Sequence, residues 1–372
     1  MAALTLFRSR EANAFQEFVM EARTWWATEL FPRLREEYEE RRALAAREGR
    51  PVKTAEDVAQ LFERSTAYAY FCWLERHVQK SKYSSSRWGL VAQLAREPDR
   101  AAERLAAADA ARLEVREGFK VPDYYVAHDI HQHPGNLHAD PLAGLVYEAS
   151  ALSIHPATRR NELHERFVDV VRRESAPAAF AKVLDMGCGF GKSAVPLARA
   201  FPQAEVVGVD VSAPCLKLAA ADAAAAKVPN IRFRQADARH TGLEPGTFDL
   251  VTSTMLLHEL PGQAVEETLA ETSRLLAPGG VSIHLDFRAD DPFWQFIMYG
   301  HGVRNNEPFL EPLMRMDLAE AYRKAGFEAV RIEPFAEREG ATDPSNPFWR
   351  FPWAAIIARK PDRITANPGD LQ

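Results

Sequence analysis

The stretch VLDMGCGFGKSAVPLA, residues 183–198, combines a buried strand, a glycine turn and the start of a helix. The apolar Val183 and Leu184 lead to Asp185, and glycine then occupies positions 187, 189 and 191. Glycine lets a ligand approach the backbone closely, and the N–H groups at a helix N-terminus attract an anionic group. The stretch therefore predicts a ligand site at the point where a strand passes into a helix.

The region around this stretch has the pattern of a layered α/β domain. Short runs such as AEVVGVD and FDLVTS are nearly continuously apolar, as expected for strands buried on both faces. Helical patterns at 191–200, 213–226, 262–276 and 316–325 separate these runs. The alternation predicts a doubly wound, mostly parallel sheet with right-handed crossovers. No helical pattern separates the last two runs, so we expect the final strand to be antiparallel.

The N-terminal part of the chain has a different pattern. Apolar residues recur there at helical spacing, and Thr54 with Asp57 forms a capping-box pattern at one helix start. We predict an all-helical domain over residues 1–155, an α/β domain over 156–362 and a flexible tail over 363–372. The aromatic side chains of the helical part are expected in its core; they are Trp25, Trp26, Tyr68, Tyr70, Phe71 and Trp73.

Composition excludes several classes of protein. The 372 residues are 47% hydrophobic and carry a net charge of −6 without a block of one sign, so no nucleic-acid partner is expected. The sequence has no run of about 18 apolar residues, so membrane insertion is not expected either. The three cysteines form no CxxC pair, which argues against a disulfide framework and a thiolate zinc site. The first residues lack the apolar run of a signal peptide, and we expect a cytoplasmic protein.

Three ligands compete for the glycine turn. A phosphate loop would need glycine at position 186, which is Met186, and a dinucleotide fingerprint would need it at position 192, which is Lys192. The carboxylate of Asp185 would also repel a pyrophosphate. A cofactor with a cationic amino-acid end, a carboxylate and a nucleoside, such as S-adenosylmethionine, fits better because Asp185 can then help to hold an ammonium group.

The ends of the next predicted strands support a nucleoside ligand. Asp210 ends the second strand, 19 residues after Gly191, where an acid can accept hydrogen bonds from both ribose hydroxyls. Asp237 and Ala238 follow the third strand, where a carboxylate and a backbone amide can meet an adenine. Thr254 ends the fourth strand and is expected near the methionine part of the ligand.

Residues 160–360 resemble the class I S-adenosylmethionine-dependent methyltransferases, in particular the ubiquinone and menaquinone C-methylating enzymes. The resemblance rests on VLDMGCGFG, VVGVDVS, QADA, FDLVTSTMLLHELP and LLAPGG. It implies a Rossmann-like sheet of seven strands, with S-adenosylmethionine as cofactor and S-adenosylhomocysteine as product. The implied cofactor-binding residues are Asp185, Gly187, Gly189, Asp210, Val211, Asp237, Ala238 and Thr254, and Tyr147 is a candidate for closing over the cofactor.

Candidate catalytic residues come from two segments. His258 follows the fourth strand and could act as a base, or it could only shape a loop with Glu259. His131 and His133 belong to YYVAHDIHQHPGNLHAD, which has four histidines in eleven residues. This segment could face the substrate, form an ordinary connection or hold a metal. Its spacing matches no structural zinc pattern, and we predict no metal.

Selection of the acceptor must come from outside the cofactor motifs. We expect segments 124–147 and 290–313 to cover the cofactor site and to form the pocket of a small metabolite. The aromatic residues of 290–313 are expected either to pack on the N-terminal helices or to form a wall of this pocket, and in the second case they favour a largely apolar or aromatic acceptor. The alternative role of the N-terminal domain is homodimer formation. Two other functions stay open, namely a nicotinamide-dependent reductase and a protein that binds S-adenosylmethionine without transferring its methyl group.

Overall fold

The fold is organised around one mostly parallel sheet. The computed structural model describes residues 6–106, 108, 110–152, 162–175 and 180–362. The strands are Leu113–Glu114 (β1), Lys182–Met186 (β2), Glu205–Asp210 (β3), Ile231–Gln235 (β4), Phe248–Thr254 (β5), Leu276–Phe287 (β6), Glu328–Pro334 (β7) and Trp353–Arg359 (β8). They lie in the order β1-β4-β3-β2-β5-β6-β8-β7. Strand β8 is antiparallel to both β6 and β7, and the other pairs are parallel. The predicted fold class and the antiparallel final strand are confirmed.

Helices precede the sheet and connect its strands. In the N-terminal half they are Arg10–Trp25 (α1), Phe31–Arg47 (α2), Ala55–Phe62 (α3), Thr66–Ser84 (α4), Leu90–Ala95 (α5), Pro98–Ala106 (α6), Asp123–Val126 (α7) and Ala143–Leu152 (α8). Those that follow are Glu162–Glu174 (α9), Ala194–Ala200 (α10), Ala213–Ala225 (α11), Gly262–Leu275 (α12), Pro292–Asn305 (α13), Leu310–Arg315 (α14) and Leu318–Lys324 (α15). Thr54 and Asp57 form the expected capping box before α3.

Two details of the sheet differ from the expectation. The sheet has eight strands rather than seven, and the N-terminal half is not entirely helical, because β1 pairs with Phe233 and Arg234 of β4. A two-residue strand is too short to show alternation in the sequence, so only its partner reveals it. The boundary predicted at residue 155 and the tail predicted from residue 363 lie outside the described residues.

Both faces of the sheet are covered by other elements. Alternate residues of the central strands enter two different hydrophobic clusters; Val183 and Val206 belong to one, and Leu184 and Val207 to the other. All four of these side chains are buried. This burial explains the continuous apolar runs, since a strand with two covered faces has no solvent side.

Helix α13 joins the N-terminal helices to the α/β part through aromatic rings. The ring centroids of Phe293 and Trp294 of α13 lie 6.1 and 5.3 Å from the ring centroid of Phe31 of α2. Phe71 of α4 and Trp349 also contact Phe31. Phe293 and Trp294 are therefore core residues, which is one of the two roles expected for the aromatic residues of segment 290–313.

The expected aromatic core of the N-terminal helices is only partly correct. Trp26 and Phe71 are buried, whereas Trp25, Tyr70 and Trp73 are 48%, 62% and 56% exposed. Neighbouring positions of a helix point in different directions, so a run of aromatic residues cannot all face one core.

Candidate active site

The glycine turn after β2 has the backbone conformation that its sequence predicts. Gly187, Gly189 and Gly191 have φ angles of +65°, +51° and +86°, a region that favours glycine. A Cβ atom on Gly187 would also lie 2.7 Å from a methyl carbon of Leu256. The turn passes into α10, and its backbone therefore stays open to a ligand at the carboxyl ends of the parallel strands.

A cavity lies at these strand ends, and its empty volume, including the part open to solvent, is about 940 Å³. Nine of the predicted site residues line it, and they are His131, Tyr147, Gly187, Gly189, Asp210, Val211, Asp237, Ala238 and Thr254. The ring of Tyr147 lies over the turn, because a Cβ atom on Gly189 would be 3.8 Å from its Cε1. The N-terminal half thus contributes side chains to the same cavity as the strand ends.

Three predicted residues do not reach this cavity. Asp185 is fully buried, and its two oxygens accept hydrogen bonds from the hydroxyls of Ser193 and Thr252. His133 and His258 are buried as well and are absent from the lining. Asp185 is the last but one residue of β2, and its hydrogen bond with Ser193 ties the strand to the residue that precedes α10. These three side chains thus lie outside the cavity lining, and their contact with a ligand stays a prediction.

The carboxylate of Asp210 belongs to the cavity lining and is fixed by hydrogen bonds from two backbone N–H groups. Its Oδ2 accepts a hydrogen bond from the N–H of Gly189 and its Oδ1 one from the N–H of Ser212, both at 2.8 Å. Burial raises the pKa of Asp210, although these N–H groups act in the opposite direction. Each carboxylate oxygen has a second lone pair, so Asp210 can still accept a pair of hydroxyls.

Asp237 has a partner that the sequence did not suggest. The guanidinium of Arg239 donates to both carboxylate oxygens, at 3.1 Å from Nε to Oδ1 and 2.7 Å from Nη2 to Oδ2. The same guanidinium lies 5.1 Å from the ring centroid of Tyr124, which lines the cavity. Tyr124 and Asp237 therefore flank one end of the cavity, and the expected contact of Asp237 with an adenine stays a prediction.

Further lining residues were missed because they belong to segments without a recognisable motif. Tyr125, Ile130 and Leu137 come from the segment before α8, and Glu259 comes from the short helical turn Leu257–Glu259 after β5. The sequence marked the first segment as a cover for the site, but it did not show which of its side chains face inward. Glu259 was treated only as a neighbour of His258.

Acidic residues and histidines alternate in a row that begins at Glu259 and His131 in the cavity lining and extends into the protein. His258 Nδ1 lies 2.7 Å from Asp286 Oδ1, and His258 Nε2 lies 3.4 Å from Glu259 Oε1. On the other side of Glu259, His131 Nε2 is 3.5 Å from the same oxygen, and His131 Nδ1 is 2.8 Å from Glu307 Oε1. Five side chains thus form a row in which Glu259 is the central member and, with His131, faces the cavity.

The carboxylates at both ends of this row make its imidazoles basic. Burial alone lowers the pKa of His258, but the charge and hydrogen bond of Asp286 outweigh it, and the pKa is raised well above its usual value. Burial also lowers the pKa of His131, and Glu307 reverses the effect, so that this pKa is raised too. The neighbouring carboxylates thus favour the protonated form of both imidazoles.

The four histidines of segment 128–138 do not converge on one point. His131 faces the cavity, His133 packs edge-on against Tyr83, and His128 and His138 contact other rings. Within the described residues no group of three or more His, Cys, Asp or Glu side chains is arranged to hold a metal ion. One histidine of the segment therefore lines the cavity, and the other three pack against neighbouring rings.

The chain is similar to known methyltransferases. Residues 183–280 match a family model described as a methyltransferase domain. The demethylmenaquinone methyltransferase of Lactiplantibacillus plantarum is 31% identical over 180 residues, which are 42% of this chain and 75% of that protein. The trans-aconitate 2-methyltransferase of Deinococcus radiodurans is 42% identical over 102 residues, 27% of this chain but only 36% of that enzyme.

One solved structure is similar to part of the chain at a low level. Phosphoethanolamine N-methyltransferase 2 of Haemonchus contortus, in complex with S-adenosylmethionine, is 20% identical, with a TM-score of 0.40 and 52% of each chain covered. Together with the similar sequences, the glycine turn and the strand order define the class. The chain belongs to the S-adenosylmethionine-dependent methyltransferase family, and S-adenosylmethionine is the cofactor of that family.

The cavity fits this cofactor. Asp210 offers free lone pairs at the position expected for the ribose, and Tyr124, Asp237 and Ala238 flank the end expected for the adenine. Gly187 and Gly189 leave the backbone open at the end expected for the methionine. A nicotinamide cofactor is not favoured, since the family membership and the carboxylate of Asp185 under the turn both argue against a pyrophosphate.

Proposed function

We propose that this protein transfers the methyl group of S-adenosylmethionine to a small metabolite bound between the strand ends and the N-terminal segment 124–147. The observation that carries the proposal is a single cavity lined by both parts of the chain. Asp210 and the glycine turn stand on one side, and Tyr125, His131 and Tyr147 stand on the other. A site of this kind holds two reactants in one enclosed space.

The residues of the chain position the two reactants and exclude water from the cavity. When bound, the cofactor supplies an electrophilic methyl group on a sulfonium. Asp210 and the N–H groups of the turn are expected to orient the cofactor, and Tyr147 over Gly189 is expected to cover it. Alignment of two reactants in a site without water contributes a large part of the acceleration in such reactions.

The acceptor pocket is expected beside the end of β5. Ile130, Met255, Leu256 and Leu260 line the cavity there and provide apolar surface. These residues support an acceptor with an apolar or aromatic body, in place of Phe293 and Trp294 of α13, which are in the core. The N-terminal domain therefore serves as a cover of the site, and homodimer formation stays an alternative prediction.

The described part of the chain contains no helix that is long and apolar enough to cross a membrane.

Calorimetry and product analysis test the proposal. The purified protein is titrated with S-adenosylmethionine, S-adenosylhomocysteine and NADH, and is then incubated with S-adenosylmethionine and a panel of small phenols, enols, carboxylic acids and amines. We expect binding of the first two ligands and release of S-adenosylhomocysteine with at least one acceptor class. Binding of NADH alone would refute the proposal. Binding of S-adenosylmethionine without turnover on any acceptor would favour the non-methylating alternative.

A further inference from the structure

Two of the N-terminal helices carry most of the exposed aromatic surface of the molecule. Among the residues that the structure describes, five Phe, Tyr or Trp side chains are exposed, and four of them lie on α1 and α4. These four are called the aromatic patch, and they are Phe18, Trp25, Tyr70 and Trp73. Single exposed apolar residues are common, but a group of them on one surface indicates contact with another molecule.

A groove between α1 and α4 lies at the centre of this surface. Both helices line it, and the lining residues are Ala22, Arg23, Trp26, Leu74, Glu75 and Val78. Phe18 is four positions before Ala22 and Trp25 is three after it, while Tyr70 is four positions before Leu74 and three before Trp73. Side chains at these spacings are neighbours on one side of a helix, so the aromatic patch flanks the groove on both sides.

The charged residues beside the patch have opposite signs on the two helices. Glu21 is exposed on α1, three positions after Phe18 and four before Trp25. On α4 the exposed charged side chains are Arg76 and Lys80, and both are basic. Within the described ranges none of these three charged groups forms an ion pair with its own chain. The surface therefore offers an acid from one helix and bases from the other to a molecule that covers the groove.

We propose that the aromatic patch and the groove form the interface of a symmetric homodimer, in which α1 of each copy packs against α4 of the other. The twofold axis runs along the groove, parallel to both helices. A half-turn about this axis exchanges the two sides of the groove and keeps each residue at its level along the helices, so the acidic side of one copy meets the basic side of the other. None of the patch residues lines the cavity, and the same domain can therefore cover the active site and form this contact.

Hydrogen bonds between the two helices show which residues share a level. Arg23 donates from Nη1 to Oε1 of Gln79 at 2.7 Å, and Trp26, directly after α1, donates from Nε1 to the carbonyl oxygen of Phe71 at 3.0 Å. The helices thus run in opposite directions, and Glu21 is close in level to Lys80. In the dimer Glu21 of one copy is therefore expected beside Lys80 of the other, at the edge of the contact.

The exposed area of the aromatic patch agrees with a dimer contact. Its four side chains are 48% to 65% exposed. With about 200 Å² for a whole aromatic side chain, they offer roughly 450 Å². A standard interface takes about 800 Å² from each partner, so the patch supplies about half of it, and the groove and the charged edge surround the patch. The acid at position 21 disfavours an anionic membrane surface, which is the other occupant that aromatic and basic side chains would suit.

Analytical ultracentrifugation of the full chain tests the interface. We expect the wild type to be a dimer above about 10 μM, and Trp25→Ser and Trp73→Ser each to weaken the dimer at least about tenfold, as for aromatic residues at the centre of an interface. Leu44→Ser is the matched control, because Leu44 is 56% exposed on α2 and lies outside the patch. This variant is expected to associate like the wild type.

Charge reversal tests the pairing of the helices and keeps the experiment decisive if an aromatic variant folds poorly. Glu21→Lys and Lys80→Glu each place like charges across the interface and are expected to weaken the dimer at least about threefold. The variant with both substitutions restores opposite charges and is expected to recover most of this loss. Equal association of the wild type and all three variants, or a double variant as weak as the single ones, would overturn the proposed arrangement.

Cross-linking locates the contact directly. An exchanged mixture of isotope-labelled and unlabelled protein is treated with a carbodiimide, and the linked peptides are analysed by mass spectrometry. We expect a link between Glu21 and Lys80 in which one peptide is labelled and the other is not. A wild type that stays monomeric at about 100 μM would overturn the inference, and so would a monomer that instead binds vesicles of phosphatidylglycerol and phosphatidylcholine. These outcomes are independent of cofactor binding and turnover, so they do not bear on the proposed function.

Discussion

The junction between the N-terminal helices and α13 contains a buried ionic cluster whose loss should be measurable. Glu75 of α4 contacts Arg304 and His301 of α13 through its two carboxylate oxygens. The side chains of Glu75 and Arg304 are only 2% and 9% exposed. We predict that Glu75→Gln strongly lowers the free energy of unfolding, because it leaves the Arg304 guanidinium buried without its counter-charge.

The pKa of Glu75 indicates the size of this effect. Burial by itself raises it, but the charges of Arg304 and His301 outweigh burial and bring it to about 2. A carboxyl group of ordinary pKa about 4.3 is then shifted by roughly two units, which corresponds to about 3 kcal/mol. Removal of one partner of a buried pair costs about 3–5 kcal/mol in comparable cases. We therefore expect a loss of about 3 kcal/mol for Glu75→Gln at pH 7.

The lowered pKa of Glu75 also makes the free energy of unfolding depend on pH. The folded state binds the proton of Glu75 less tightly than the unfolded state, so the stabilisation is complete above the unfolded pKa of about 4.3. It is lost as the pH falls towards about 2, where the folded carboxyl group also becomes protonated. The difference in unfolding free energy between the wild type and E75Q should therefore shrink below pH 4.

Urea unfolding of a double-mutant cycle checks the prediction. Glu75→Gln, Arg304→Met and the double variant are compared at pH 7, and Glu39→Gln serves as a control because the pair of Glu39 with Arg42 is more than half exposed. The double variant should lose less than the sum of the two single variants, and E39Q should change stability by less than about 1 kcal/mol. A loss below about 1 kcal/mol in E75Q, or strict additivity, would refute the reasoning.

Three further changes test other parts of the molecule. Asp210→Asn should weaken binding of S-adenosylmethionine by about 1–3 kcal/mol in calorimetry without loss of the fold; unchanged affinity would contradict the ribose contact. Lys82 is fully buried, and its Nζ has no hydrogen-bond partner within the described ranges, so burial lowers its pKa well below the usual value. Because the unfolded state binds that proton, wild-type stability should rise with pH, and Lys82→Met should add about 1–3 kcal/mol at pH 7 and less near pH 10. Gly144→Ala should cost about 1–3 kcal/mol in thermal unfolding, since the new Cβ would lie 2.6 Å from the carbonyl oxygen of Pro214; an unchanged midpoint would show that α8 can move away from α11.

Local patterns in the sequence were sufficient for the sheet and for the cofactor end of the site. A strand buried on both faces has a continuous apolar run, and a turn with positive φ angles favours glycine, so both features can be read over a few residues. Asp210 and Thr254 are the last residues of their strands, and parallel strands bring their carboxyl ends to one edge. Their presence in one cavity is thus a consequence of chain order and sheet geometry.

The acceptor end of the site could not be predicted from the sequence, because it depends on contacts between distant parts of the chain. His131 and Glu307 are 176 positions apart, and no local periodicity connects them. His258 and Glu259 are neighbours in the sequence, yet the first is turned towards Asp286 and the second towards the cavity. The sequence by itself determined the α/β sheet, the glycine turn and the acids at the strand ends, because each depends on nearby residues. Only the tertiary structure decided which histidine and which acid reach the acceptor end of the cavity, because burial and pairing depend on the elements that pack against them.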